Sequence, residues 1–170
     1  GPARPKVPVP VWYFVVPLVI LVAVAVPLVY VARQGGGNGG GGPITVPQGG
    51  ALSVGGNGDS ETIACSDGEL TLPGFNSTFH VTGHCAGLTV SGFDNRVTVD
   101  SADTVKIANY GNTVTVSGHV ASLDVSLYNN HVRVESADAI NISGYSNTVT
   151  YHSGTPKVTQ SGYDITVGQG

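Results

Sequence analysis

Between Gly74 and Val167 the chain alternates aliphatic and polar residues in short bursts that recur at a nearly fixed interval. Each unit opens with an aliphatic pair split by one polar residue: Phe79/Val81, Val97/Val99, Val114/Val116, Val132/Val134 and Val149/Tyr151. This two-residue period marks a strand with one buried face. A small polar turn follows, then a second pair: Leu88/Val90, Val105/Ile107, Leu123/Val125 and Ile140/Ile142. Units starting at Gly74, Gly92, Asn109, Leu127, Gly144 and Gly162 are spaced 18, 17, 18, 17 and 18 residues apart. Helical-hairpin and propeller-blade repeats need roughly 30–50 residues per unit, so this period fits one coil of a β-solenoid instead. The pattern predicts an all-β protein, a parallel β-solenoid (β-helix) of about six to seven turns of 17–18 residues, with both strands of each turn facing one narrow core.

Each unit also carries an aromatic residue and, in four of the six, an Asn two positions on: Phe93 and Asn95, Tyr110 and Asn112, Tyr128 and Asn130, Tyr145 and Asn147. Asn95, Asn112, Asn130 and Asn147 share the parity of the inward aliphatics, so stacked turns align them in one column. An amide both donates and accepts, and such a ladder can satisfy itself through neighbouring amides and turn backbone. The alternative role for each Asn is to take a left-handed turn conformation. The aromatic column, Phe75, Phe93, Tyr110, Tyr128, Tyr145 and Tyr163, recurs in every turn rather than clustering, which favours stacked packing over a ligand platform. A longer period lies within the first. Val81-Thr82-Gly83-His84 returns as Val116-Ser117-Gly118-His119, and Val99-Asp100-Ser101-Ala102-Asp103 returns as Val134-Glu135-Ser136-Ala137-Asp138, each 35 residues later. A two-turn unit has been duplicated.

The amino-terminal part follows other rules. Val7 to Ala32 contains no charged residue over 26 positions, longer as a helix than the ~30 Å apolar layer of a bilayer. It predicts one transmembrane helix, with Trp12, Tyr13 and Tyr30 at interfacial positions and with kinks at Pro17 and Pro27. A cleavable signal peptide is the rival reading, because Ala23-Val24-Ala25 has small-x-small spacing. The apolar run outlasts the usual ~7–15-residue signal core and continues past that site, which favours a retained anchor. Arg4 and Lys6 outweigh Arg33, placing the amino terminus in the cytoplasm and the repeats outside, extracellular or periplasmic. The organisation expected is a cytoplasmic stub 1–6, a transmembrane helix 7–33, a glycine-rich linker 34–43, degenerate capping turns 44–73 and a solenoid 74–170. Ile44-Thr45-Val46, Leu52-Ser53-Val54 and Leu70-Thr71-Leu72 supply strands to the capping turns, which lack the aromatic-x-Asn motif and protect the open solenoid end.

Composition changes this picture little and charge changes it more. The formal net charge is −4, but beyond Arg33 four Lys/Arg face eleven Asp/Glu. An acidic domain of this kind is a poor partner for nucleic acid, whose binding relies on cations neutralising phosphates. Cys65 and Cys85 lie 20 residues apart, close to one turn, which would set them about one strand spacing, ~5 Å, apart. Together with export this predicts a disulfide.

Candidate chemistry is sparse. Asp100, Asp103, Glu135 and Asp138 fall in the inter-strand turns, equivalent positions being about 10 Å apart at two strand spacings. That lies near the upper end for an inverting carboxylate pair, but the recurrence follows from the duplication and assigns no catalysis. His84 and His119 are likewise too far apart to share a metal, and His80, His131 and His152 occupy unrelated offsets. Gly55-Gly56-Asn57-Gly58-Asp59 matches a calcium-binding repeat once and imperfectly. No catalytic, cofactor or metal site is expected. Thr113/Thr115 and Thr148/Thr150 hint at the threonine arrays of ice-binding solenoids, which Thr78/His80, Arg96/Thr98 and His131/Arg133 interrupt.

The recurring aromatic-x-Asn motif with Ser-Ala-Asp turns, joined to a membrane anchor, resembles an actinobacterial family of unknown function known from mycobacterial exported and lipid-anchored envelope proteins. The resemblance covers about Phe75 to Val167 and implies a cell-envelope location, with no active-site residues to carry over. The chain departs from that family in having a proline-kinked helix rather than an evident lipid-attachment cysteine. Two functions follow as expectations, beside a third, self-assembly into a surface filament through the solenoid ends. One is a non-enzymatic single-pass envelope protein, an accessory or docking subunit whose helix, through Pro17 and Pro27, meets a membrane protein complex. The other is an envelope carbohydrate-binding or polysaccharide-processing β-helix, which an aromatic cluster exposed along one face would favour.

Overall fold

The computed structural model describes residues 2–3, 28–31 and 44–170. The expected helix, including Pro17 and Pro27, lies outside these residues except at its carboxyl end, and the glycine-rich linker lies outside them too. Among the described residues no helix is long and apolar enough to cross a membrane.

The strands are β1 (Leu28–Val31), β2 (Ile44–Val46), β3 (Ala51–Val54), β4 (Ser60–Ser66), β5 (Glu69–Leu72) and β6 (Thr78–Val90), then β7 (Arg96–Ile107), β8 (Thr113–Val125), β9 (His131–Ile142), β10 (Thr148–Ser153), β11 (Lys157–Gln160) and β12 (Thr166–Gln169). All pairings are parallel and join each turn to the next, giving an all-β solenoid of about seven turns. Phe79 pairs with Val97, Val97 with Val114 and Val114 with Val132, so inward residues of successive first strands form one continuous column. Leu88, Val105, Leu123 and Ile140 form the second-strand column, all at most 1% exposed. Parallel pairing in register explains the relentless valine: each side chain sits on its own equivalent, and β-branched side chains suit that pleated stack.

Three features depart from the simple reading. First, β6 to β9 run through the expected inter-strand turns without losing the sheet, so each turn is a bend in one long strand. Second, the 18/17 alternation has a local cause. Thr82 and Gly83 separate Val81 from His84 in β6, whereas only Asp100 separates their partners Val99 and Ser101 in β7. The same mismatch places Ser117 and Gly118 in β8 opposite Glu135 alone in β9. An extra bulged residue thus enters alternate turns, and Gly83 adopts it at φ 81°, where a Cβ would run into the Cys65 carbonyl. Third, β1 is extended and pairs along β3, Val29 with Leu52 and Val31 with Val54, where a helix end was expected. The open edge of β3 offers unpaired backbone groups that an extended segment satisfies. The glycine-rich stretch consequently joins two strands, β1 and β2.

The turns preceding Gly74 are more regular than expected. β4 is a full first strand, with Ile63 and Cys65 turned inward, and Asn57 bridges to Phe75 in the aromatic position.

Candidate functional site

The chemistry-bearing side chains gather on two corners of the coil. At the first, the residue between the aromatic and the Asn is left-handed in every turn: Asn76, Asp94, Gly111, Asn129, Ser146 and Asp164 have φ between 52° and 70°. These types tolerate that region through small size or local hydrogen bonding. The left-handed role thus belongs to the variable middle residue and not to the recurring Asn.

That Asn turns inward. Asn95, Asn112, Asn130 and Asn147 are at most 2% exposed. Their Oδ1 atoms accept the backbone N–H one turn back: Ser77 to Asn95 at 3.0 Å, Asn95 to Asn112 at 3.1 Å, Asn112 to Asn130 at 3.0 Å and Asn130 to Asn147 at 2.9 Å. Their Nδ2 atoms donate to corner carbonyls, including Gly74 for Asn95, Gly92 for Asn112, Asn109 and Ser126 for Asn130, and Leu127 and Ser143 for Asn147. Amide-to-amide contacts of 3.3 and 3.2 Å join Asn112, Asn130 and Asn147. Ser77 and Asp59 extend the column: the Asp59 N–H donates to Ser77 Oγ, and the Asn57 N–H donates to the Asp59 carboxylate. Gly55 to Asp59 is therefore the first corner of the ladder, with the Asp59 carboxylate accepting the Asn57 N–H.

The aromatic column stands on the outside of this corner. Phe75, Phe93, Tyr110, Tyr128 and Tyr145 stack with centroids 4.9–5.2 Å apart and planes within 19° of parallel. Phe75 and Tyr145 are 39% and 49% exposed, and Tyr163, bridged to Tyr145 through backbone, is 80% exposed. Rings in the middle of the stack have both faces covered by neighbours, leaving edges and hydroxyls to solvent.

The second corner is the bend, where the sequence reading named acids and histidines separately and the fold joins them. His84 Nδ1 lies 2.8 Å from Ser101 Oγ, and its Nε2 lies 2.9 Å from Asp103. The duplicate repeats it, with His119 2.8 Å from Ser136 and 3.1 Å from Asp138. In a neutral imidazole a carboxylate beside Nε2 favours the tautomer with its proton there, in which Nδ1 accepts from the serine hydroxyl. This is the bonding order of a nucleophile, base and acid relay, with the two ring nitrogens exchanged. It stands on a convex corner, with His119 and Asp138 side chains 52% and 70% exposed, and the neighbouring Gly83 N–H is already donated to Asp100. Glu135 accepts weakly from Ser153. The arrangement ties β6 to β7 and, in the duplicate, β8 to β9. The tell-tale in the sequence was Gly-His in one turn followed by Ser-Ala-Asp in the next, a contact visible only once turns are stacked. Among the described residues no group of three His, Cys, Asp or Glu could hold a metal ion.

Cys65 and Cys85 are joined in a disulfide with Cα atoms 5.2 Å apart. It staples β4 to β6, one turn to the next.

Stacked parallel turns, a buried amide ladder and a stapled first end define a single-stranded β-solenoid. The family described as "Protein of unknown function (DUF3060)" matches residues 72–113 and 107–164, together more than half of the chain, and the chain belongs to it. The two matches begin 35 residues apart, the length of the duplicated two-turn unit. No curated protein and no solved structure matches the chain.

Proposed function

We propose that this chain is a non-enzymatic, single-pass cell-envelope protein that presents its solenoid outside the membrane as an accessory or docking subunit of a membrane protein complex. The observation that carries the reading is stiffness. Backbone pairing, the amide ladder and the aromatic stack all run along the coil axis across successive turns, and a disulfide links two of them. Such a rod holds a partner at fixed distance rather than closing around a substrate. With Leu28–Val31 paired to β3, the uncharged run Val7–Pro27 still counts 21 residues, about 31 Å as a helix, enough to span. An anchor there leads straight into the solenoid edge, which favours a set pose over a loose tether.

The test is to exchange Val7–Pro27 for an unrelated straight anchor of equal length and compare the membrane proteins that co-purify in mild detergent. Loss of a stoichiometric partner supports docking through the kinked helix at Pro17 and Pro27. Unchanged recovery reduces the helix to an anchor, and no partner in either case removes the docking reading.

A carbohydrate-binding role is the second reading, favoured by the surface position of the aromatic column. Sugars pack on ring faces, however, and in this stack the inner faces are taken.

A further inference from the structure

The acidic residues of the solenoid are not spread evenly. The flat face made by the outward residues of the first strands consists of two columns. One runs Ser60, Thr78, Arg96, Thr113, His131, Thr148, Thr166, and the other Thr62, His80, Thr98, Thr115, Arg133, Thr150. Neither holds a carboxylate, although the chain has eleven. The acids lie elsewhere: on the aromatic corner at Asp59, Asp94 and Asp164, and on the bend at Asp67, Asp100, Asp103, Glu135 and Asp138. Glu69 and Asp124 sit in second-strand columns, and Glu61, the one carboxylate within the register of the two outward columns, lies between them in β4 level with the inward-facing Phe79. Two of the four Lys/Arg beyond Arg33 are on this face. Both arginines are exposed, and the ion pairs found among the described residues are His–Asp pairs on the bend, so neither guanidinium is spent on a protein carboxylate. A shallow groove of about 360 Å³ opens beside Arg133, lined also by Thr115, Thr150 and His152, with Glu135 on its wall.

We infer that this face binds a linear anionic polysaccharide, one bearing carboxylate or phosphodiester groups at intervals. The inference rests on the carbohydrate-binding reading but moves the site from the aromatic corner to the flat face. Threonine hydroxyls donate and accept, as a polyol requires, and every turn of this face from Thr62 to Thr166 carries at least one, at a strand spacing of ~4.8 Å, except the turn that holds His131 and Arg133. Arg96 and Arg133 are two turns apart, about 10 Å along the axis, so they meet sparse charges, and each guanidinium can take a carboxylate or phosphate bidentately. A nucleic acid fits less well: its charges are dense, this face offers no Phe, Tyr or Trp ring for its bases, and the acidic corners repel it. A lipid surface fits less well too, since the face has no apolar side chain to insert.

The experiment uses the full chain in mild detergent, with affinity electrophoresis through gels containing polygalacturonate, neutral dextran or single-stranded RNA. Retardation by polygalacturonate, weakened by salt and absent with dextran, is expected. R96Q/R133Q should weaken it about tenfold, while K106Q/K157Q, which removes the same charge from the second-strand columns, should leave it unchanged; thermal melts confirm that both variants fold. Equal weakening by the two pairs would make the effect one of net charge and overturn the site. Equal binding of dextran would overturn the anionic inference and keep the carbohydrate reading, no binding of either glycan would remove both, and stronger binding of RNA would replace the ligand class.

Discussion

Replacing Asn130 with Leu is the sharpest test of what holds the coil together. Leucine keeps the branched four-heavy-atom shape of asparagine, but its methyls are bulkier than the amide, so at this completely buried site some overpacking adds to the loss of hydrogen bonds counted next. The Asn112 N–H loses its acceptor, Asn130 Oδ1 at 3.0 Å, and has no water to replace it. The carbonyls of Asn109 and Ser126 lose donors at 2.6 and 3.0 Å in a partly buried corner. Asn147 is spared, because its Oδ1 still receives the Asn130 backbone N–H, and Asn112 Nδ2 keeps the Gly92 carbonyl. One orphaned buried donor costs about 1–3 kcal/mol, and two carbonyls within reach of water add roughly 0.5–1 kcal/mol each, for about 2–5 kcal/mol in all. At roughly 3–5 °C per kcal/mol for a domain of this size, the midpoint should fall on the order of 10 °C. Thermal unfolding followed by circular dichroism measures the total, and hydrogen exchange should show protection lost at Asn112 while Val54, several turns away, is unaffected. A midpoint within about 2 °C of the parent, with the Asn112 amide still protected, would refute the ladder as a source of stability.

Two further outcomes follow from the same geometry. Reducing the Cys65–Cys85 bond, which closes a loop of 20 residues, should lower stability by about 3 kcal/mol in the chain-entropy picture, measured by urea unfolding with and without reductant; coincident curves would mean that the staple constrains nothing. Gly92→Ala puts a methyl into the Gly74 carbonyl and against Asn95 Nδ2, and forcing these turns apart should cost about 1–3 kcal/mol in the same assay, whereas Gly168→Ala, with open space around it, should be neutral.

Much of the fold could be read from the chain because each turn repeats the same burial demand. Val97, Val114 and Val132 announce a buried column, and the parity of Asn112 and Asn130 put them on the same side. Counting by twos fails at the aromatic corner, where a left-handed residue reverses the chain, so it could not decide that Phe75 and Tyr145 stand outside while Ser77 and Asn147, two positions later, go in. The left-handed residue was itself disguised, being Asp, Gly, Asn or Ser in different turns, with only conformational tolerance in common. The link from His84 to Ser101 and Asp103 was hidden for another reason: it joins neighbouring turns across a bulge, so the pairing depends on which turn carries the extra residue. Leu28–Val31 shows composition misleading outright, since the same apolar residues suit a membrane helix or the edge of a sheet. The carboxylate-free face needed both strand register and corner positions before the charges could be sorted.

The amide ladder also has a direction. Every Oδ1 reaches back to the preceding turn, so no turn supplies the acceptor for its own Asn N–H; for Asn95, Asn112 and Asn130 the next one does. A chain made from its amino terminus at about 5–20 residues per second completes a turn of 17–18 residues in roughly 1–4 s. Throughout that time the newest turn waits with a donor unanswered, and each turn that docks finishes its predecessor while leaving a fresh vacancy of its own. Growth of the coil is therefore vectorial, like a zip that closes only behind the slider, and a stalled or shortened chain always carries one incomplete corner at its leading end.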